Sequence, residues 1–264
     1  MVNALHSHTT GEGHDVVLLH GLFGQSSNLG GLARALKGRY RVHSLDLPDH
    51  GRSFWTEAPS PTAYATAVSH WLDQQAIAVC SIVGHSLGGK VAMALALQEP
   101  RRLAKVVVAD IAPIAYAPSH FNVFAGIAAV EAASCATRSQ AKAILSAHVA
   151  DEAVRQFLLL SLKKSAAPTP DAALQWQLNW RALRDNYSKL LAALEPNGFL
   201  DAQPDLLFIR GGLSNYVRQQ GLGAIEGLFP GARVETIAGA SHWLHAEQPT
   251  LFNTLVAEFL SSRR

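Results

Sequence analysis

Cysteine, charge and long apolar runs are all scarce in this chain. Only Cys80 and Cys135 occur in 264 residues, too few for a disulfide framework, and Cys80 sits in an apolar, strand-like run that suits a buried reduced thiol. Neither cysteine is expected to be catalytic. Charged residues make up 16% of the chain and leave a net charge of +2. Lysine and arginine never run beyond pairs such as Arg101 with Arg102 or Lys163 with Lys164, so nothing supports binding to nucleic acid. No apolar stretch approaches the roughly 18 residues that span a bilayer, and no membrane partner is expected. The opening MVNALHSHTTGEGHD has neither the basic start nor the apolar stretch of a secretion signal, which makes a cytoplasmic location the expectation.

What is abundant is apolar residues, 48% of the chain, enough for a large core and too many for disorder. Short β-branched runs alternate with longer helical patterns, the mark of βαβ units: an α/β fold with a mainly parallel twisted sheet and helices on both faces. Strands are expected at 16–20, 40–46, 79–84, 105–110, 206–210 and 232–237, and helices at 28–36, 62–75, 86–98, 221–228 and 249–260. From about Pro113 to Asn197 the alternation stops, leaving helical periodicity and no convincing strand. Residues 113–197 are therefore expected to form a helical cap inserted into a core of residues 1–112 and 198–264. Pro168 and Pro170 mark a joint within it, and its Phe121, Phe124, Phe157, Trp176 and Trp180 face either the sheet domain or a cavity.

The strand at 79–84 runs into GHSLGG, with Gly84, Ser86 and Gly88 in G-x-S-x-G spacing, followed by the alanine-rich LGGKVAMALAL. The bare spacing is weak, but its place between an apolar strand and a helix is that of a nucleophile elbow. Such a turn holds the serine in a strained conformation and lifts its hydroxyl clear of the sheet, while the helix start directs free N–H groups to the same point. A hydroxyl needs a base to become nucleophilic, and GASHWLHAEQP supplies His242 after the last strand; His245, nearer the final helix, is expected to pack or cap instead. His43, His70, His120 and His148 receive no role.

The acid is less routine. It commonly follows the strand corresponding to LLFIR, but GGLSNYV has no carboxylate there, and Asn215 cannot carry the charge. VVVADIAP offers Asp110 at the carboxyl end of the strand after the elbow helix, where groups that act on ligands gather in such sheets. Asp151, Asp171 and Asp185 lie on apparently helical surfaces. Two further glycines, in HGLFG at 20–24, shape a loop after the first strong strand. Acyl transfer creates an oxyanion that two backbone N–H groups can hold, and Leu22 and Leu87 are expected to supply them. Phe23, His85 and Trp243 are expected to line the substrate pocket. The reading is a serine hydrolase in which Ser86 attacks, His242 shuttles the proton and Asp110 orients the imidazole.

A metal-dependent hydrolase, suggested by His6, His8, His14 and Asp15, fails on spacing: residue 10 is Thr where an Asp would be needed, and no HExxH occurs. Neither metal nor cofactor is expected. A binding protein on the same fold would commonly lack a member of the triad.

HGLFGQSSNLGGLARAL, the HGRS loop ending at Ser53, GHSLGGKVAMALAL, VVADIAP and GASHWLHAEQP together resemble the α/β-hydrolase superfamily and, within it, the YbfF-type esterases. The likeness runs from Val16 to about Phe259. It implies hydrolysis of small or short-acyl carboxylic esters, with acyl-CoA thioesters as a second substrate class, and agrees with Asp110 as the acid. It departs at Pro48 and Asp49, where relatives usually carry Arg-Asn. The same fold also hosts C–C bond hydrolases and lyases, which a serine at position 86 leaves open.

Overall fold

The computed structural model describes residues 4–164, 173–195 and 203–262. Its elements in chain order are β1 (Ser7–Thr10), β2 (His14–Leu19), α1 (Gly30–Leu36), β3 (Tyr40–Leu45), α2 (Pro61–Gln74), β4 (Cys80–His85), α3 (Leu87–Gln98) and β5 (Leu103–Ala109). After these come α4 (Phe121–Ala132), α5 (Arg138–Ser146), α6 (Glu152–Leu159), β6 (Leu162–Lys164), β7 (Leu174–Trp176), α7 (Trp180–Asp185) and α8 (Tyr187–Leu191). The chain then returns through β8 (Asp205–Gly211), α9 (Gln219–Leu228), β9 (Arg233–Ile237), α10 (Leu244–Glu247) and α11 (Pro249–Ser261).

Seven strands form one sheet in the order β1-β3-β2-β4-β5-β8-β9, parallel throughout except for β1, which runs antiparallel to β3. The inner strands are apolar at nearly every position because helices cover both faces. The two-residue period sends Leu19, Ile82, Val106, Val108 and Phe208 to one face, with α2 and α3, and Val16, Leu18, Val83, Val107 and Leu207 to the other, with α1 and α11. β1 escaped prediction because SHTT has no apolar alternation; it is an edge strand held by its pairing with β3.

The segment between β5 and β8 is mostly helical, as its periodicity predicts, but it is not free of strands. β6 and β7 pair antiparallel, Leu162 opposite Trp176. Three residues are too few for a period-2 pattern to register, and the pair is anchored from outside itself by the Trp176 indole N–H donating to the Ile127 carbonyl at 3.1 Å. Pro168 and Pro170 lie outside the described residues. Lys90 ties this segment to the sheet. Buried on α3 and only 2% exposed, it donates to the carbonyls of Ile114 at 3.0 Å, Leu191 at 2.9 Å and Ala192. Two of these belong to the end of α8, where a cation suits the helix dipole. Among the described residues no helix is long and apolar enough to cross a membrane.

Candidate active site

The carboxyl ends of β2, β4, β5 and β8 meet at one rim of the sheet. Six described non-glycine residues have positive φ, and four of them lie here or in the loop beside it: Phe23, Asp49, Ser86 and Asp110. Strain of this kind persists only where the surroundings over-determine it.

Ser86 sits between β4 and α3 at φ 52°, ψ −116°. The turn closes because its glycines have no side chains: a Cβ on Gly84 would lie 2.1 Å from the Gly88 carbonyl oxygen, and one on Gly88 would lie 2.3 Å from that of Leu19. The Ser86 N–H donates to the Ala109 carbonyl at 2.9 Å, fastening the turn to β5.

His242 follows β9, with Nε2 3.0 Å from Ser86 Oγ and Nδ1 2.7 Å from Asp110 Oδ2. A carboxylate facing Nδ1 places the ring proton there and leaves the Nε2 lone pair for the serine hydroxyl. Asp110, fully buried at φ 50°, has its N–H on the Ile209 carbonyl at 2.8 Å. Its carboxylate accepts from the Gly211 N–H at 2.9 Å, the Ser214 hydroxyl and the His242 ring. The structure thus brings all three expected residues together. Ser214 and Tyr216 were missed; Tyr216 stacks its ring on His242 with centroids 3.9 Å apart and planes 19° apart. Both lie in GGLSNYV, which sequence reasoning set aside for having no carboxylate. The serine hydroxyl in that loop was the available signal.

The expected pocket residues differ in what they offer. His85 lines the cavity, but its Nε2–H is committed to the His242 carbonyl at 2.9 Å. Burial, then His245 and His242, hold its pKa well below the usual imidazole value, so it braces His242 from behind as a neutral ring. His245 packs on it at 4.5 Å between centroids. Phe23 presents its ring edge-to-face to Phe124 at 5.2 Å, and Trp243 lies 5.5 Å from Phe157. Phe23, Phe157 and Trp243, with Leu22, Val123 and Val154, bound a cavity of about 860 Å³, with Ser86 and His242 in its lining.

The glycine loop after β2 approaches Ser86 closely. A Cβ on Gly21 would come within 3.3 Å of the Ser86 Cβ, and the Gly24 N–H closes the turn on the Gly21 carbonyl at 3.0 Å. Leu22 is thereby set beside Ser86, while Leu87, the first residue of α3, has an N–H with no acceptor in its own helix. Two buried histidines hold the loop from beneath. His20 donates from Nδ1 to the Gly21 carbonyl at 2.8 Å and accepts the Leu47 N–H at Nε2. His50 donates from Nδ1 to the Pro48 carbonyl at 2.8 Å and accepts the Phe23 N–H at 3.2 Å. Each ring uses one nitrogen as donor and the other as acceptor, the pattern of a neutral imidazole. Burial, then His50, pushes the His20 pKa down to about 3.

The departure at Pro48 and Asp49 also acquires a structural account. Asp49, fully buried, accepts from the Thr56 N–H at 2.7 Å, the Thr56 hydroxyl at 2.8 Å, the Tyr64 hydroxyl at 2.7 Å and the Asn179 amide at 2.7 Å. Its own carbonyl takes the Asn179 N–H at 2.9 Å, and the Gly51 N–H donates to the Gln177 carbonyl at 2.9 Å. The loop that supports Phe23 is therefore stitched to the segment between β5 and β8.

The N-terminal histidines go separate ways. His6 lies 3.1 Å from Asp46, His14 3.2 Å from the Ser81 hydroxyl, and Asp15 pairs with Arg41 and His43. Among the described residues no group of three metal-ligating side chains converges. Asp151 caps α6 through the Ala153 N–H, Asp185 pairs with Arg184 at the surface, and Asp171 lies outside the described residues.

Residues 16–255 match the model of the alpha/beta hydrolase family. Esterase YbfF of Escherichia coli (strain K12) is 36% identical over 247 residues, 93% of this chain and 92% of that protein. The sn-1-specific diacylglycerol lipase ABHD11 of Mus musculus is 35% identical over 254 residues, 93% of this chain and 80% of that protein. A solved structure titled marine microorganism esterase superposes with a TM-score of 0.91 at 30% identity, covering 97% of this chain and 99% of the other.

Proposed function

The chain belongs to the alpha/beta hydrolase family, and on that premise we propose that it is a serine carboxylesterase working through an acyl-enzyme on Ser86. The observation that carries this is the unbroken hydrogen-bonded line from Ser86 Oγ through both nitrogens of His242 to Asp110. In this reading His242 Nε2 takes the hydroxyl proton as Ser86 attacks the ester carbonyl, and Asp110 stabilises the imidazolium that forms. The oxyanion is held by the N–H groups of Leu22 and Leu87, a contribution of about 3 kcal/mol for each such donor. Collapse of the intermediate expels the alcohol, which receives the proton from His242. A water then repeats the sequence on the acyl-enzyme and releases the acid. The esterase names of its relatives support the same reaction.

Residues 113–197 act as a cap over a core of residues 1–112 and 198–264, and substrate lies between them. Small or short-acyl esters fit, and a thioester offers the same carbonyl to Ser86. At about 860 Å³ the cavity is near the upper end for small-molecule sites and has room for a longer apolar group as well.

The test is a screen of nitrophenyl esters of increasing acyl length together with acyl-CoAs, with Ser86→Ala as control. The variant should lose turnover by about 10⁶-fold, and a fluorophosphonate should label Ser86. Parental rates in Ser86→Ala would overturn the assignment. Turnover of a vinylogous diketone without turnover of any ester would turn it toward a C–C hydrolase.

A further inference from the structure

His120, given no role by its sequence context, lies at the entry to α4 and lines the same cavity as Ser86 and His242. Its ring meets that of Phe23 edge-on, with centroids 5.7 Å apart, which places it against the glycine loop beside Ser86. Nδ1 shares a short hydrogen bond with the Tyr187 hydroxyl. The Ser119 N–H also points to that phenol oxygen, at 3.5 Å. The Tyr187 hydroxyl can donate its proton to Nδ1, and an imidazole that accepts at Nδ1 carries its hydrogen on Nε2. Burial, then the nearby His242, lowers the His120 pKa to about 4, so the ring is neutral at pH 7. No described residue pairs with Nε2. Apolar side chains, among them Val123, Leu190 and Phe23, line the cavity with it. A single N–H donor on such a wall discriminates, because a ligand without an acceptor leaves it unpaired while a ligand with one does not.

We propose that His120 is a substrate-binding residue whose Nε2–H holds a second oxygen of the substrate, so that the preferred substrates are carboxylic esters bearing a keto, ether or further ester oxygen rather than plain alkyl esters. This rests on the serine-esterase reading and deepens it.

Two nearly isosteric pairs test the idea: nitrophenyl 4-oxopentanoate against nitrophenyl pentanoate for the acyl side, and 2-methoxyethyl butanoate against butyl butanoate for the alcohol side. The readout is the ratio of kcat/KM within each pair, so any general loss in a variant cancels. The wild type should favour the oxygenated member of at least one pair by about tenfold, mainly through KM, the upper end for one neutral hydrogen bond. His120→Phe should bring that ratio to about one, and His120→Gln, which can return an N–H near the Nε2 position, should restore part of it. His120→Leu takes the place of His120→Phe should the latter not fold. Absence of preference in both pairs, or a preference that survives loss of the imidazole, overturns the proposal. Persistence of activity in Ser86→Ala would instead strike the serine-esterase reading itself.

Discussion

Asp110 and Asp49 are fully buried aspartates, both at positive φ, one at the end of β5 and the other in the loop after β3. Each carboxylate is satisfied by hydrogen bonds, yet the partners differ. Asp49 is held by an amide N–H, two hydroxyls and the Asn179 side chain, none of which changes charge near neutral pH. Asp110 has an N–H and a hydroxyl, but also an imidazole whose far nitrogen touches a serine. One corner therefore only anchors, while the other can stabilise a cation as it forms. Residue type, burial and backbone conformation are shared; the difference lies in whether one partner can take up a proton.

Paired amide substitutions test that contrast with the largest expected effect. In Asp110→Asn the new amide would face His242 Nδ1, forcing the ring proton to Nε2, where it blocks transfer from Ser86. kcat should fall about 10⁴-fold, an effect far larger than the loss of stability. Asp49→Asn should do the reverse. Its amide group would meet the Thr56 or Tyr64 hydroxyl in place of an acceptor, costing about 1–3 kcal/mol of stability in urea unfolding, while kcat falls less than about tenfold. Equal catalytic losses in the two variants would erase the distinction.

Legibility in the sequence follows the same division. Ser86, Gly84 and Gly88 were readable because a tight strand-to-helix turn imposes its residue types locally, and the HGLFG loop for the same reason. Asp110 and His242 were readable from position, since parallel sheets gather such groups at strand ends. Asp49, His50, Ser214 and Tyr216 were not, because their work is done across long separations in sequence: Asp49 acts on Asn179, and Tyr216 on His242. β1 and the β6–β7 pair were lost for a related reason, being held by partners rather than by a pattern of their own.

Acid should weaken both corners through their neutral histidines. His20 and His50 support the loop beside Asp49, while His85 and His245 pack behind His242. Burial is the largest cause of a lowered pKa in all four; His20 falls to about 3 and His245 to about 4, and in His50 burial outweighs the pull of Asp49 and Asp46. Between those values and the ordinary 6.5, the unfolded chain takes up protons that the folded chain refuses. Stability is therefore lost as pH falls below about 6.5, by up to about 1.4 kcal/mol per pH unit for each histidine. Urea unfolding between pH 7 and 5 should show this slope, and His50→Gln should reduce it by up to one such increment. A slope unchanged by that substitution would mean that His50 takes up its proton in the folded protein as readily as in the unfolded chain, contrary to its acceptor role toward the Phe23 N–H.

The smallest expected effect isolates what orients the His242 ring. Tyr216 lies flat on His242, and its position is fixed twice over: its N–H reaches the Ser214 hydroxyl at 3.2 Å, and its carbonyl accepts from the Tyr116 hydroxyl at 2.8 Å. Tyr216→Leu removes the flat face but keeps both backbone links, and leaves Asp110 on Nδ1. Ring stacking of this kind is worth about 0.5–1.5 kcal/mol, so kcat on a nitrophenyl ester should drop by only about threefold. A fall comparable to that of Asp110→Asn would show that the stacked ring, rather than the carboxylate, sets the imidazole in place, and the contrast between the two buried aspartates would then lose its mechanistic meaning.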